Sequence, residues 1–539
     1  MAKLSSRPQW KNGLLTVFLI LALIGLVSGH SESKVDTQRP DVVTIDLPAI
    51  PGGELMPAVQ FLHDRHTEVL KGKKDCSACH LQKDDQLVFK FKRFENSNTA
   101  KDMEIYHGNC IGCHTEKAAG GEPAGPVSGD CRSCHKTTAQ LTSSWQPLNF
   151  DKSLHFRHAS AQTIRPTQAP YDVNCSACHH KFDKTTQKIV YIQGKEESCQ
   201  YCHAAEKTDE ARSLQAASHD SCVNCHLQKA NRKEKAGPIN CQGCHDLIAQ
   251  QAIERAKDIP RMKRNQPDVT LLASWTRAAD FSDTSATVHM NPVAFNHIGH
   301  EETVAGCKSC HHASLEKCSE CHTNTGAEKG GYINIAQAMH NQGSTKSCIG
   351  CHKQYQSSPN CAGCHALIRN RPLADSACIT CHAVDKTDLK PSKINQDAMT
   401  ALAQKAVKTR QTPFTMVPDE KIPENVTIKA MADTYEGATF PHRKIVNTLA
   451  SQIKDNGMAN LFHGQATTLC LACHHNSPAT TQPPRCAACH GEPFKAGQDD
   501  GRPGLMGAYH GQCITCHQAM QIEKPAATDC TACHKKRTS

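Results

Sequence analysis

A cysteine, two variable residues, a second cysteine and a histidine recur sixteen times in the chain, and no cysteine lies outside this pattern. Three copies come early, at Cys76/Cys79/His80, Cys110/Cys113/His114 and Cys131/Cys134/His135. Four follow at Cys175/Cys178/His179, Cys199/Cys202/His203, Cys222/Cys225/His226 and Cys241/Cys244/His245. The next four are Cys307/Cys310/His311, Cys318/Cys321/His322, Cys348/Cys351/His352 and Cys361/Cys364/His365, with one more copy at Cys378/Cys381/His382. The last four are Cys470/Cys473/His474, Cys486/Cys489/His490, Cys513/Cys516/His517 and Cys530/Cys533/His534. Two thiols so spaced add across the vinyl groups of a haem, and the adjacent histidine is then held close enough to ligate the iron from one face. A disulfide framework gives no reason for a histidine after every second cysteine. Zinc ribbons leave the remainder of each Cys-x-x-Cys knuckle variable. Iron–sulfur ligation favours three or four cysteines in one short run. The repetition points to sixteen covalently attached haems.

The second axial ligand of each iron must come from elsewhere. Of 33 histidines, 17 (33 − 16) lie outside the motifs, and His30 stands apart near the N-terminus. Thirteen of the remaining sixteen recur in fixed places. A His-x-x-His pair precedes a cluster at His63/His66, His155/His158 and His297/His300. A second histidine directly follows the first motif of a cluster at His180, His312 and His475. Another stands shortly before the penultimate motif at His107, His219, His340 and His510. A lone histidine is normally a surface or packing residue, but recurrence at equivalent positions points to axial ligation.

The elements that position these groups are short. Motifs cluster at 76–135, 175–245, 307–365 and 470–534, and this uneven spacing marks modules. Short helices are expected to carry many motifs, joined by loops rich in Gly, Pro, Asn and Lys. Two long gaps carry no motif. Residues 246–302 contain a helical pattern at 247–256, then Pro260 and Pro267, which break regular structure. Residues 383–468 contain another at 397–409, then Pro413, Pro418 and Pro423. No sustained strand alternation is expected beyond pieces such as 188–192.

Composition agrees with a cofactor-built interior. Only 5% of the 539 residues are aromatic, too few side chains for several ordinary cores. Each porphyrin would bury a large apolar surface, so the haems are the core and the apoprotein should not fold stably alone. Lys3, Arg7 and Lys11 precede an apolar or small stretch at 13–27 and then Val27-Ser28-Gly29, the pattern of a secretory signal peptide cleaved after Gly29. Fifteen residues are short for a membrane span. Covalent haem attachment is normally completed outside the cytoplasm, so leader and cofactor together predict the periplasm. The formal charge is +9, and the three leader cations reduce it to +6 (9 − 3). Two propionates on each of sixteen haems would add roughly 32 negative charges, so a nucleic-acid partner is not expected. The basic runs at 71–74 and 232–235 read as solvated loops.

The order His-x-x-His, Cys-x-x-Cys-His-His, Cys-x-x-Cys-His, His, Cys-x-x-Cys-His, Cys-x-x-Cys-His resembles the tetrahaem cytochrome c3 family of sulfate-reducing bacteria. Residues 155–245 and 297–365 follow it throughout. The whole chain resembles the high-molecular-weight cytochromes c of those organisms, in which such class III modules are strung together. The resemblance implies a mainly α fold with much irregular structure, tandem cytochrome c3-like multihaem modules, and haems forming the core. The expected division is a signal peptide (1–29), a three-haem module (30–150), a four-haem module (151–246), a linker (247–290), a four-haem module (291–370), a solitary haem with linker (371–438) and a four-haem module (439–539).

The resemblance also implies ligand sets. His155, His180, His158 and His219 would serve the haems at Cys175, Cys199, Cys222 and Cys241. His297, His312, His300 and His340 would serve those at Cys307, Cys318, Cys348 and Cys361. In the first cluster Leu81 replaces the following histidine and one motif is missing, so His63, His66 and His107 would serve Cys76, Cys110 and Cys131. In the fourth the pair reads His442-Arg443-Lys444-Ile445, with isoleucine in the second ligand's place. His442, His475 and His510 would serve Cys470, Cys486 and Cys530. The haems at Cys378 and Cys513 are left with His463 and His289 as candidates. One assignment gives His463 to Cys378 and leaves the Cys513 haem five-coordinate on His517, a feature the resemblance supports; the rival uses both histidines.

Iron held by two imidazoles is coordinatively saturated and, without methionine ligation, of low potential. The predicted activity is therefore electron storage and transfer rather than catalysis. The resemblance implies periplasmic hydrogenase and a small tetrahaem cytochrome c3 as donors. It implies a membrane-bound redox complex as acceptor in sulfate respiration, with the chain monomeric and held near the inner membrane through that complex. Two other classes stay open: a reductase acting at the Cys513 haem, and a filament subunit. Against the reductase, no Cys-x-x-Cys-Lys variant occurs and no substrate-handling cluster flanks Cys513.

Overall fold

The computed structural model describes residues 38–47, 56–70, 76–127, 129–137, 141–273, 290–366, 375–385, 395–410, 414–429, 434–491 and 501–537. The leader, His289 and the basic run at 71–74 lie outside these residues. The chain forms two compact units, 1–259 and 260–539, and the boundary falls inside the expected 247–290 linker.

Both units are built from short pieces for one local reason. In a Cys-x-x-Cys-His segment the histidine N–H returns to the first cysteine carbonyl at 2.8–2.9 Å, as at His135, His179, His311, His474 and His534. That one helical turn puts positions i, i+3 and i+4 on one side. Both sulfurs and the imidazole therefore face a common space.

In unit 1, strand β1 (Val42–Ile45) pairs antiparallel with β2 (Val59–Leu62), which runs straight into helix α1 (His63–Leu70). Strands β3 (His80–Lys83) and β4 (Gln86–Phe91) form a hairpin, followed by α2 (Thr99–Ala119), capped by the Asn98 side chain on the Lys101 N–H. The second module opens with α3 (Lys152–Ala159), capped by Asp151 on the Leu154 N–H. Its hairpin is β5 (Lys181–Asp183) with β6 (Lys188–Val190), and α4 (Asn224–Asn231) follows. The two modules are joined by polar contacts. Asn224, 4% exposed, receives the Leu87 N–H at 3.0 Å and donates to the Leu87 carbonyl at 3.3 Å. The Asp64 carboxylate accepts from the N–H groups of Cys241 (3.0 Å) and Gln242 (2.7 Å).

In unit 2, β7 (Val269–Leu272) and β8 (Val293–Asn296) pair antiparallel and feed α5 (His297–Thr303), capped by Asn296. Helices α6 (Cys348–Gln356) and α7 (Pro359–His365) follow closely. Helix α8 (Gln396–Arg410) lies on the β7/β8 ribbon, where Val269, Leu271, Ala294, Val384 and Ala403 make an apolar cluster. The stretch expected as linker thus packs with the third module. A third ribbon, β9 (Val426–Ile428) with β10 (Ala438–Phe440), leads to α9 (His442–Lys454), then α10 (Gly457–Phe462) and α11 (Leu505–Ala519).

Two expectations shift. The helix at 247–256 is shorter, Leu247–Gln251, because the Ser153 hydroxyl accepts the Ala256 N–H and draws that end of the segment aside. Ribbons precede three of the four distal-histidine helices where no strand alternation is visible, since strands of three or four residues are too short to show a period. Among the described residues twelve apolar side chains are buried and five of those are alanines. Polypeptide alone supplies little interior.

Candidate haem sites

Most of the motif imidazoles are oriented through Nδ1. That nitrogen donates to a backbone carbonyl at His114 (Pro126, 2.8 Å), His135 (Pro57, 2.7 Å), His203 (Arg212, 2.9 Å), His226 (Pro238, 3.0 Å), His245 (Gln146, 2.9 Å) and His490 (Pro503, 2.8 Å). His66, His158 and His300 each donate to the carbonyl four residues back at 2.7 Å. A donor bond at Nδ1 leaves Nε2 as the lone-pair nitrogen and fixes the ring's direction, as outer partners of metal-ligating histidines do. Burial pushes His66, His80, His180, His219, His311, His312, His352, His365, His442 and His463 below the ordinary histidine value. They are neutral near pH 7, the form that ligates metal.

No motif cysteine is fully buried by the polypeptide. Cys113, Cys178, Cys202, Cys225, Cys310, Cys381, Cys473, Cys489 and Cys533 are exposed, and the other second cysteines, Cys321 among them, are half-buried. Cysteines that bond a haem need not be covered by polypeptide. The physical reason lies in the bond they make. A thioether forms at the rim of the porphyrin, so its sulfur needs to reach an edge and not the centre of the site. Backbone geometry still places them for that bond. The Cys202 N–H returns to the Cys199 carbonyl at 3.2 Å, and the Cys489 N–H to the Cys486 carbonyl at 3.1 Å. Cys321 and Cys533 each end a one-turn helix, Cys318–Cys321 and Cys530–Cys533. Cys113 lies within α2 and Cys225 within α4.

In unit 1 seven motif histidines each face one further imidazole. The pairs are His63–His80 (ring centroids 6.3 Å apart), His66–His114 (6.2 Å) and His107–His135 (6.2 Å). The second module contributes His155–His179 (6.1 Å), His158–His226 (6.2 Å), His180–His203 (6.1 Å) and His219–His245 (6.1 Å). Each is the combination expected from the ordered pattern.

Unit 2 keeps six expected combinations: His297–His311 (6.4 Å), His300–His352 (6.3 Å), His312–His322 (5.9 Å), His442–His474 (6.4 Å), His475–His490 (5.8 Å) and His510–His534 (6.0 Å). Two differ. His340 faces His382 at 6.1 Å, not His365. His463 faces His365 at 6.0 Å, not His382. Cys378 therefore closes the third module and Cys361 is the inserted site, completed by a histidine from the fourth module. The motif intervals carried the signal. The final two motifs of the other clusters begin 21 (131 − 110), 19 (241 − 222) and 17 (530 − 513) residues apart, against 13 (361 − 348) here. Thirteen residues hold only α6 and the turn into α7.

His517 is the remaining motif histidine. Its Nδ1 donates to the Pro525 carbonyl at 3.2 Å, and among the described residues no second imidazole faces it. Ile445 occupies on α9 the position held on α1, α3 and α5 by His66, His158 and His300.

A group of residues not singled out in the sequence supports the distal rings. Phe61 lies 4.2 Å from His66 and Phe295 4.3 Å from His300, centroid to centroid, with Phe150 5.2 Å from His158. Phe440 stands 5.9 Å from His442. In three clusters this phenylalanine precedes the first histidine of the pair by two residues, a regularity visible in the sequence once the pair is aligned. Glycine does the same work at the opposite face. A Cβ on Gly125 or Gly237 would overlap the ring of His114 or His226.

The facing rings test whether the sites fit an iron. A metal lies about 2.0 Å from an imidazole nitrogen, which is about 1.2 Å from its ring centre, so two rings sharing one metal stand about 6.4 Å apart. Fifteen pairs at 5.8–6.4 Å fit a metal between them, with two thiols beside each. These sites define a multihaem c-type cytochrome. The sequence profile of the class III cytochrome c family matches residues 40–135, 136–245, 276–382 and 441–535, and its third match ends at His382, where the histidine pairing closes the module. The chain belongs to that family. It is 41% identical over 508 residues to the high-molecular-weight cytochrome c of Nitratidesulfovibrio vulgaris strain Hildenborough, covering 93% of this chain and 92% of that one. The crystal structure of the sixteen-haem cytochrome of Desulfovibrio gigas superposes with a TM-score of 0.82 at 37% identity, covering 93% of this chain and all of that one. The high-molecular-weight cytochrome c of Desulfovibrio vulgaris (Miyazaki F) gives 0.70 at 40%, over 95% and 100%. The chain carries covalently bound haem c, and electron transfer is the activity of a cytochrome of this type.

Proposed function

We propose that this cytochrome is a periplasmic carrier. It takes low-potential electrons of hydrogenase origin from a small tetrahaem cytochrome c3 and passes them to a membrane-bound redox complex in sulfate respiration. The observation that carries the reading is the set of fifteen facing imidazole pairs. The haem supplies a one-electron valence change at iron; the chain supplies everything else. Two imidazoles per site leave no coordination position for a substrate. Backbone carbonyls fix the direction of rings such as His66, His114, His135, His158 and His300. In this reading the fifteen non-motif histidines paired above are the distal ligands, and His517 holds its iron alone. The N-terminal leader pattern supports export. The chain acts as a monomer, docked to the membrane through its acceptor complex.

The test uses the full-length, haem-loaded protein with hydrogenase under hydrogen. Reduction is expected to be slow with hydrogenase alone and to accelerate on adding catalytic cytochrome c3. Equal rates with and without it would remove that donor from the reading. Sustained turnover of nitrite or peroxide would replace the carrier by a reductase acting at His517.

A further inference from the structure

Four motifs have glycine as the residue before the second cysteine: Gly112, Gly243, Gly350 and Gly363. Their surroundings differ. A Cβ built on Gly112 meets nothing within 4 Å, and those on Gly243 and Gly350 meet only their own loops. On Gly363 it would stand 2.5 Å from Met520 Cγ and Sδ and 2.8 Å from Cys516 Sγ. Gly363 and Ala362 are both buried, and Met520 Sδ lies 3.8 Å from Cys516 Sγ. The inserted Cys361 motif on α7 is therefore seated against the helix that carries the Cys513 motif and His517. Cys516 Sγ is one of the two sulfurs that would bond a haem at that site, and Cys364 follows Gly363 directly. Close packing of this kind holds only if no side chain stands between the helices.

We propose that Gly363 and Met520 are positioning residues that hold the Cys361 haem and the Cys513 haem as one electronically coupled pair, so that the single-histidine site is joined to the inserted site. This rests on the reading of His517 as sole protein ligand. The arrangement makes the inserted site, whose chain comes from one module and whose His463 comes from the next, the immediate neighbour of the only site with a free coordination position among those described.

The test is paramagnetic relaxation in the loaded, full-length protein. A ferric low-spin neighbour in contact speeds relaxation of a high-spin signal, and a ferrous diamagnetic one does not. Methionine ligation raises haem potential, so His463→Met directs the first electron to the Cys361 site. The microwave power that half-saturates the high-spin signal is then expected to fall at least about twofold after one electron per chain. In the unaltered protein, where nothing directs the first electron to that site, a smaller fall is expected. Gly363→Leu, which forces α7 off α11, is expected to give a similar fall in the fully oxidised protein. A high-spin signal indifferent to the first electron in His463→Met overturns the coupling, and an unchanged half-saturation power in oxidised Gly363→Leu overturns the positioning role. Absence of any high-spin signal in the unaltered protein overturns the single-histidine reading and the inference together.

Discussion

The second and third modules start from the same ordered set of ligands and finish differently. In the second, His219 on the approach to α4 meets His245 of the last motif, 26 residues on (245 − 219). In the third, His340 passes over the next motif but one and meets His382. The motif it skips, Cys361, is closed from the fourth module. The order of motifs along the chain is thus not the order of sites. What the third module preserves is the place of the distal histidine relative to the helix of the penultimate c3-type site, and the insertion is accommodated by borrowing a ligand.

The sharpest way to break this comparison is to delete one haem and then one ligand. His340→Ala is expected to create one new high-spin, carbon-monoxide-binding haem per chain, as His219→Ala does in the second module. With Cys378 and Cys381 changed to alanine, His340→Ala should add none; with Cys361 and Cys364 changed instead, it should still add one. The reverse result would restore the sequence-based assignment. His463→Ala should behave as the mirror image on the same two backgrounds. Next in size, Ile445→His restores the fourth module to the pattern of α3 and is expected to abolish the high-spin signal and carbon monoxide binding. Persistence of both would mean that Ile445 does not face the His517 site. Gly237→Ala sets a methyl group against the His226 ring, and overpacking of this kind costs about 1–3 kcal/mol. Thermal unfolding should show the loss, whereas Gly112→Ala, in open space, should show none. Smallest is Asn224→Ala, which leaves the Leu87 N–H and carbonyl unpaired at the junction of the first two modules. A cost of about 1–2 kcal/mol is expected, read as a lower denaturant midpoint for unit 1.

The parts legible in the sequence were those fixed by local geometry. A cysteine pair and histidine within one helical turn are recognisable because the turn itself brings them together, and thirteen distal pairs follow from position relative to a motif. Helix α8 was visible within one residue at each end (396–410 against 397–409) because its apolar residues Met399, Leu402, Ala406 and Val407 recur at helical spacing. The exchange of His340 and His463 was not visible, because the family order is satisfied equally well by either motif after α6. Only the interval of thirteen residues betrays the insertion. The ribbons escaped for want of length. Phe61, Phe150 and Phe295 escaped because a phenylalanine near a histidine has no meaning until the histidine is known to need a wall.

The pairing of His463 with His365 also fixes when the third module can be finished. The two residues are 98 apart in the chain (463 − 365), so the Cys361 site stays incomplete until α10 has been made and brought back. Closing so long a loop is slow compared with the local closures elsewhere. A chain cut anywhere between α8 and α10 would therefore yield a third module that attaches all five of its cofactors yet binds carbon monoxide at a site silent in the whole protein. The modules repeat as sequence, but the third is completed only by the fourth.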